Sequence, residues 1–327
     1  MIISRAPVRL SMGGGGTDVA SYYKNHGGFL MAAAINKYIY IMVNKRFYES
    51  IRLSYSKTEI VDNIDDIEHK IFREALRYVE INKQIELASI ADIPAQCGLG
   101  TSSSFTVALL NGLFEYKKTY LPLEELARAA CHIEIDVLKE PIGKQDQYAA
   151  SFGGFRAYWF NKDGSVTTEP VMISEEDMAA LQNNILLFSL RRERQASNIL
   201  KDQNKKIAED DKDTLERLHK IKQLGLRTKK VFESRKLDEF GEILHEHWLI
   251  KKGLSEKISD AFIDEAYSTA RKNGALGGKV VGAGGGGFLL LYCPKDKPKL
   301  VAKMKEMGLN PMWFFFEPDG AKIVFHS

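Results

Sequence analysis

The amino-acid sequence predicts an α+β fold, on three observations. The chain of 327 residues is long enough for one large or two moderate domains, each with a buried core. Its 44% hydrophobic and 27% charged residues are those of an ordinary globular protein and exclude a disordered one. Strand-like and helix-like segments follow one another irregularly, without the strand–helix alternation that a doubly wound parallel sheet requires.

Residues 2–11 read as a strand ending in a glycine turn at 13–16. Residues 35–44, rich in Ile, Tyr and Val, read as a second strand, and 50–56 are expected to pair with it. Ile67, Ile71, Ala75 and Val79 recur at helical spacing and predict a helix over 66–82, with a strand after it at 85–91. The glycine-rich loop from Gly98 to Thr101 leads into a helix whose apolar stripe carries Phe105, Leu109 and Leu113. Another helix starts at Pro122–Leu123, where the N–H that proline lacks is not needed, and runs to about Leu138. Strands are predicted at 154–160 and 184–190, long polar-faced helices across 193–250, and a helix at 259–273. The charged stretch Lys201 to Asp213 reads as a solvated helix surface or a loop between helices. The chain closes with a strand at 276–281, a glycine turn at 282–287, a strand at 287–292, a helix at 295–306, and strands near 311–315 and 321–326.

A net charge of +3 without a long basic tract argues against nucleic acid as a partner. Cys97, Cys131 and Cys293 are far apart and include no CxxC pair, which suggests neither a disulfide framework nor a zinc site. The N-terminus lacks an apolar stretch of signal-peptide length, and the run from Phe288 to Cys293 is too short to span a bilayer. A cytoplasmic protein without a membrane partner is therefore expected.

Three glycine-rich segments carry the chemistry. Ile93-Pro-Ala-Gln-Cys-Gly-Leu-Gly-Thr-Ser-Ser-Ser-Phe105 lies between a strand and a helix. Its glycines let backbone N–H groups approach a ligand, and the helix start favours an anion. Thr101, Ser102 and Ser103 add hydroxyls for phosphate or Mg²⁺, although Ser and Thr are also ordinary helix caps. No Gly-Lys-Ser/Thr follows, so the segment is not a Walker A loop. Gly282-Ala-Gly-Gly-Gly-Gly287 matches GxGxxG, but a strand follows instead of a helix, so a tight turn or a bare hairpin fits better than a dinucleotide site. In Gly13-Gly-Gly-Gly-Thr-Asp18, either Thr17 or Asp18 caps a short helix, or the loop brings the Asp18 carboxylate to a polyol.

Taken together and in this order, the segments resemble the GHMP kinases, the superfamily of galactokinase, homoserine kinase, mevalonate kinase and phosphomevalonate kinase. The family's three motifs match Arg5 to Asp18, Pro94-Ala-Gln-Cys-Gly-Leu-Gly-Thr-Ser103, and Gly282 to Phe288, with Thr101 where serine is usual. The resemblance implies the GHMP kinase fold: an N-terminal domain like domain 2 of ribosomal protein S5 (1–180, binding ATP) and a ferredoxin-like α+β C-terminal domain (181–327). The Gly-Gly-Gly-Thr-Asp ending of the first motif and Pro141-Ile-Gly-Lys-Gln-Asp-Gln-Tyr-Ala149 are similar to the heptose 7-phosphate kinases, with the fucokinase domains next.

The resemblance further implies ATP and Mg²⁺ as cofactors and a small-molecule sugar phosphate as acceptor. Asp146 matches the catalytic aspartate, and Arg9 the basic residue that holds it ionised. The nucleotide falls to Pro94, Gly98, Leu99, Gly100, Thr101, Ser102 and Ser103. The sugar falls to Gly15, Gly16, Thr17, Asp18, Gly284, Gly285 and Arg194, whose Arg-x-Ala-Ser setting resembles a family segment. Ser102 matches the hydroxyl ligand of Mg²⁺. Glu134 is also legible without the family. It lies four residues after Ala130 on an apolar helical stripe, where a carboxylate needs a cation. Arg191 and Arg192, and Lys251 with Lys252, are further candidates for a sugar phosphate. His245-Glu-His247 lacks metalloprotease spacing and reads as a polar helix face. A kinase for free fucose or galactose, and an inactive sugar and ATP sensor, are the competing readings.

Overall fold

The computed structural model describes the backbone of residues 1–190 and 196–327, and the side chains of 1–190 and 198–327. Arg191, Arg192 and Arg194 lie outside the described residues.

Among the described residues, twelve strands form two sheets. The strands are β1 (Ile2–Gly13), β2 (Gly28–Lys45), β3 (Ile51–Ser54), β4 (Thr58–Val61), β5 (Ile85–Ala91) and β6 (Phe155–Phe160). They continue with β7 (Val166–Pro170), β8 (Ile185–Ser189), β9 (Gly277–Val280), β10 (Phe288–Tyr292), β11 (Asn310–Met312) and β12 (Lys322–His326). The helices are α1 (Ala20–His26), α2 (Lys70–Tyr78), α3 (Thr101–Tyr116), α4 (Leu123–Cys131), α5 (Gln145–Phe152) and α6 (Glu175–Asn184). After them come α7 (Ala196–Ala208), α8 (Lys212–Glu233), α9 (Leu237–Lys252), α10 (Ala261–Lys272) and α11 (Lys297–Glu306).

The first sheet runs β12-β1-β2-β5-β3-β4, with β6 and β7 continuing from the other end of β2. β2 can serve both because it is 18 residues long. Gly28 to Ala33 pair with β6, while Ile39 to Lys45 pair with β5. The expected pairing of 50–56 with 35–44 is corrected: β5 lies between them, and β3 pairs parallel to β5. The last strand returns to the first sheet, where β12 pairs with β1. The second sheet is antiparallel, in the order β11-β8-β10-β9. Lys201 to Asp213 combine both readings offered for them, since they span the end of α7, a turn and the start of α8.

One apolar cluster joins the sheets, from Leu10, Phe29 and Met31 through Phe232 on α8 to Leu290 and Tyr292. It holds the two sheets around a shared cleft. Helix α8 passes so close to the first glycine run that a Cβ on Gly13 would lie 2.9 Å from the Gly225 Cα. No helix among the described residues is long and apolar enough to cross a membrane.

Candidate active site

A cavity of about 660 Å³ opens between the sheets. It is lined by Arg9, Asp18, Ser102, Glu134, Asp146 and glycines of all three segments. Residues as distant in sequence as Arg9 and Ala283 therefore meet in one place, as the three-motif reading requires.

Arg9 is the hub. It sits mid-strand on β1, where alternation turns it inward, and it is only 3% exposed. Its Nε donates to Asp146 Oδ1 at 2.7 Å, and its Nη2 lies 2.6 Å from the same oxygen. Its Nη1 donates to the Gly98 carbonyl at 2.8 Å, and its backbone N–H to the Leu99 carbonyl at 3.1 Å. One guanidinium thus fixes both the glycine loop and the carboxylate at the head of α5. Asp146 Oδ2 accepts no hydrogen bond among the described residues. Helix α5 is missing from the sequence reading. Its N-cap position falls on Lys144, which makes no side-chain capping bond, so no preferred cap residue marks where the helix begins.

The loop before α3 is held by positive φ at Gly98 (81°) and Gly100 (80°). The first N–H groups of α3, at Thr101 to Ser103, have no carbonyl within the helix to pair with, and the helix start carries partial positive charge. Both features suit a phosphate chain. The glycine at 98 has a second cause beyond ligand approach. A Cβ there would lie 2.6 Å from the Val281 carbonyl oxygen, and one on Gly282 would lie 2.6 Å from Gly98 Cα. The second and third glycine segments are packed backbone to backbone. Gly98→Ala is accordingly expected to lower stability by about 1–3 kcal/mol as well as raise the KM for ATP, checked by thermal melts beside kinetics. A raised KM with an unchanged melting temperature would mean that the glycine serves the ligand alone.

Glu134 lies in a turn of π-helix, His132–Val137, that extends α4; such turns are often found at functional sites. The buried stripe holds, because Glu134 is 1% exposed. Oε1 accepts from the Ser102 hydroxyl at 2.9 Å, and Oε2 from Gln147 Nε2 at 2.6 Å. Burial pushes its carboxyl up to about 7, against hydrogen bonds from Ser103, Gln147 and Ser102 and with some help from the Asp146 charge. Two oxygen donors side by side, one a buried carboxylate without a cation, fit Mg²⁺, which takes few protein ligands when it also binds phosphate.

Several predicted residues sit elsewhere than a bare sugar contact would require. Asp18 does not project freely into the cavity. It is 1% exposed and accepts from the Gln145 backbone at 3.2 Å, the Gln145 side chain at 3.0 Å and Gly16 N at 3.3 Å. Burial, then the Asp146 charge, raises its pKa. Its carboxylate anchors the turn that carries Asp146, and it packs where a Cβ on Gly143 would be. Thr17 is fully buried, and its hydroxyl bridges Gly14 O and Phe29 O at 2.9 Å each. Gly15 and Gly16 line the cavity. Gly284 and Gly285 pack on Ile258 instead, the latter donating to its carbonyl at 2.8 Å. Pro94 is exposed, and Leu99 is buried beneath the loop.

Several cavity residues escaped the sequence reading, Lys279, His247 and Ser11 among them. Lys279 and His247 are each 2% exposed and line the wall contributed by the second sheet and α9. The polar-face reading of residues 245–247 is thereby corrected for His247. Lys279 stands in the strand Gly277–Val280, buried along its whole length, where no alternation of polar and apolar residues marks its direction.

Comparison with known proteins agrees with this geometry. Residues 68–154 match the GHMP kinases N terminal domain, and residues 228–309 match GHMP kinases C terminal. The chain is 30% identical to the D-glycero-alpha-D-manno-heptose 7-phosphate kinase of Campylobacter jejuni, over 98% of each protein. It is 24% identical to the L-fucokinase/L-fucose-1-P guanylyltransferase of Bacteroides fragilis, covering 97% of this chain and 37% of that one. Among solved structures, a D-glycero-D-manno-heptose 1-phosphate kinase from Bacteroides thetaiotaomicron superposes with a TM-score of 0.82 at 28% identity over both full chains. The galactose complex of Lactococcus lactis galactokinase shares the fold, with a TM-score of 0.75 at 19% identity over 98% of this chain and 94% of that one.

Proposed function

The chain belongs to the GHMP kinases, enzymes that transfer phosphate from ATP to a hydroxyl, and from that premise we propose that its acceptor is D-glycero-D-manno-heptose 7-phosphate. Transfer goes to the anomeric hydroxyl and yields the 1,7-bisphosphate. The observation that carries this reading is the Arg9–Asp146 pair, bonded at 2.7 Å, beside a glycine loop at a helix start and in one cavity with Gly15 and Gly16.

Phosphoryl transfer asks mainly for positioning and charge compensation. Asp146 Oδ2 accepts the hydrogen bond of the acceptor hydroxyl and takes its proton as the oxygen–phosphorus bond forms and the bond to ADP breaks. Arg9 holds Asp146 in place and adds positive charge beside the transferred group. The backbone N–H groups from Gly98 to Ser103 hold the phosphates of ATP. Ser102 and Glu134 would hold a Mg²⁺, which when bound neutralises phosphate charge. Asp18 keeps Gln145 and Asp146 in register, while Gly15 and Gly16 form the sugar wall. ATP use and three free cysteines, all buried, support the cytoplasm as the place of action.

Two similar proteins carry names with the phosphate at different positions, heptose 7-phosphate and heptose 1-phosphate. Comparing kcat/KM for the 7-phosphate, the 1-phosphate and the unphosphorylated heptose tests the reading. The 7-phosphate is expected to lead, and Arg194→Ala is expected to erode that lead if Arg194 contributes a contact of about 1.5–3 kcal/mol. Equal values for the 7-phosphate and the free sugar would move the fucokinase-like reading into first place. Binding of ATP and sugar with no acceptor-dependent formation of ADP would favour an inactive sensor.

A further inference from the structure

Lys251 on α9 and Lys279 on β9 share one wall of the cavity with His247, and Ser11 of β1 adjoins them. Lys279 is 2% exposed, and its Nζ reaches a single acceptor, the Met12 carbonyl, at 3.4 Å. Lys251 Nζ donates to the Val280 carbonyl at 2.9 Å and the Gly282 carbonyl at 2.5 Å. Neither lysine forms an ion pair among the described residues, although an ammonium has three donors to place. His247 Nδ1 and Ser11 Oγ are buried with no hydrogen-bond partner among the described residues. Lys252, by contrast, is bound to Asp264 at 2.7 Å near the surface, so the two neighbouring lysines do not act as one cluster.

Buried cations without a counter-charge are unfavourable, and so are buried donors without acceptors. Gathering four such groups on one cavity wall makes sense if a compact anion completes them. We propose that Lys279, Lys251, His247 and Ser11 form the pocket for the phosphate monoester that the acceptor carries away from its reacting hydroxyl. The assignment rests on the proposed function for the identity of the acceptor. The nucleotide already has its own phosphate site at the α3 start, which leaves this wall to a second anion. Burial, then the neighbouring positive charges, also pushes the Lys251 ammonium down to about 7 and holds Lys279 and His247 well below their ordinary values. A dianion between them would reverse that.

The test uses the full chain, with Lys279→Met and His247→Gln as variants. Calorimetric titration with inorganic phosphate is run while Mg²⁺ and a non-hydrolysable ATP analogue fill the nucleotide site. The wild type is expected to bind phosphate, and each variant to bind it at least about tenfold more weakly, the loss of one charge-assisted contact. The same variants should raise the KM for heptose 7-phosphate about 10–100-fold and leave the KM for ATP unchanged. Ligand-free Lys279→Met should melt no lower than the wild type, since it removes an uncompensated charge; a lysine that merely braced the fold would melt lower. Phosphate that fails to bind the wild type, or variants that shift the KM for ATP instead, overturns the pocket. Should the wild type use phosphorylated and unphosphorylated heptose equally while Lys279→Met still abolishes phosphate binding, the wall is an anion site but the 7-phosphate acceptor falls, and with it the pocket's assignment to the acceptor. Should the wild type prefer the 7-phosphate while both variants keep that preference, the heptose acceptor stands and the pocket falls.

Discussion

Asp146→Asn is expected to fold and bind ATP as the wild type does and to lose about 10²–10⁴ in kcat, the usual share of a positioned acid–base group. The substitution keeps the shape of the side chain and removes its charge. Arg9 would then face a neutral partner, while its other bonds, to Gly98 O at 2.8 Å and through its backbone to Leu99 O, would still hold the loop. The KM for ATP should therefore change little. The acceptor hydroxyl would lose the oxygen that receives its proton. Single-turnover kinetics separate the chemical step from binding. Turnover near the wild-type rate would remove Asp146 from the mechanism.

The second large effect is expected at Glu134, where activity and stability should move in opposite directions. Its carboxyl titrates at about 7 in the folded chain, above the ordinary value of 4.5, because burial disfavours the charge. The folded state thus holds this proton more tightly than the unfolded one. The stability linked to the group is complete below about pH 4.5 and is lost as pH rises through about 7. The loss in the ligand-free protein is on the order of 3 kcal/mol. Glu134→Gln is uncharged at every pH and should escape it, melting higher than the wild type at pH 8 and nearly alike at pH 5. The same variant should need far more Mg²⁺ for turnover, since a neutral amide is a poor partner for a hard cation. Melting curves of the two proteins that coincide at pH 8, with superimposable Mg²⁺ titrations, would show that Glu134 is neither strained nor a ligand.

What the sequence revealed followed the range of the interactions involved. Periodicity located β5 at its observed limits and the stripe that carries Glu134 inward, because both depend on neighbours a few residues apart. The glycine segments could be read as ligand loops, since repeated glycine at one place needs a backbone reason. The mutual packing of Gly98 and Gly282 could not be read, because the contact that excludes a Cβ joins residues 184 positions apart. The bracing role of Asp18 could not be read for the same reason: its partners Gln145 and Gly143 are distant in sequence, so nothing local shows that this cavity-lining carboxylate also holds the turn that carries Asp146. The pairing of β3 with β5 rather than β2 is likewise a choice of partner among strands of similar composition. His247 was misread because the pair His245 and His247 suggested one shared face. His245 instead bonds the Tyr267 hydroxyl at 2.7 Å while His247 turns to the cavity.

Phosphorus NMR of the wild-type reaction with ATP, Mg²⁺ and heptose 7-phosphate decides whether this site moves phosphate from ATP to the anomeric hydroxyl of a sugar that already carries one. A new phosphate-ester resonance coupled to the anomeric proton is expected, growing in step with ADP while the 7-phosphate signal persists. ADP that accumulates beside free phosphate alone, or a new ester coupled to any other proton of the sugar, would contradict that transfer.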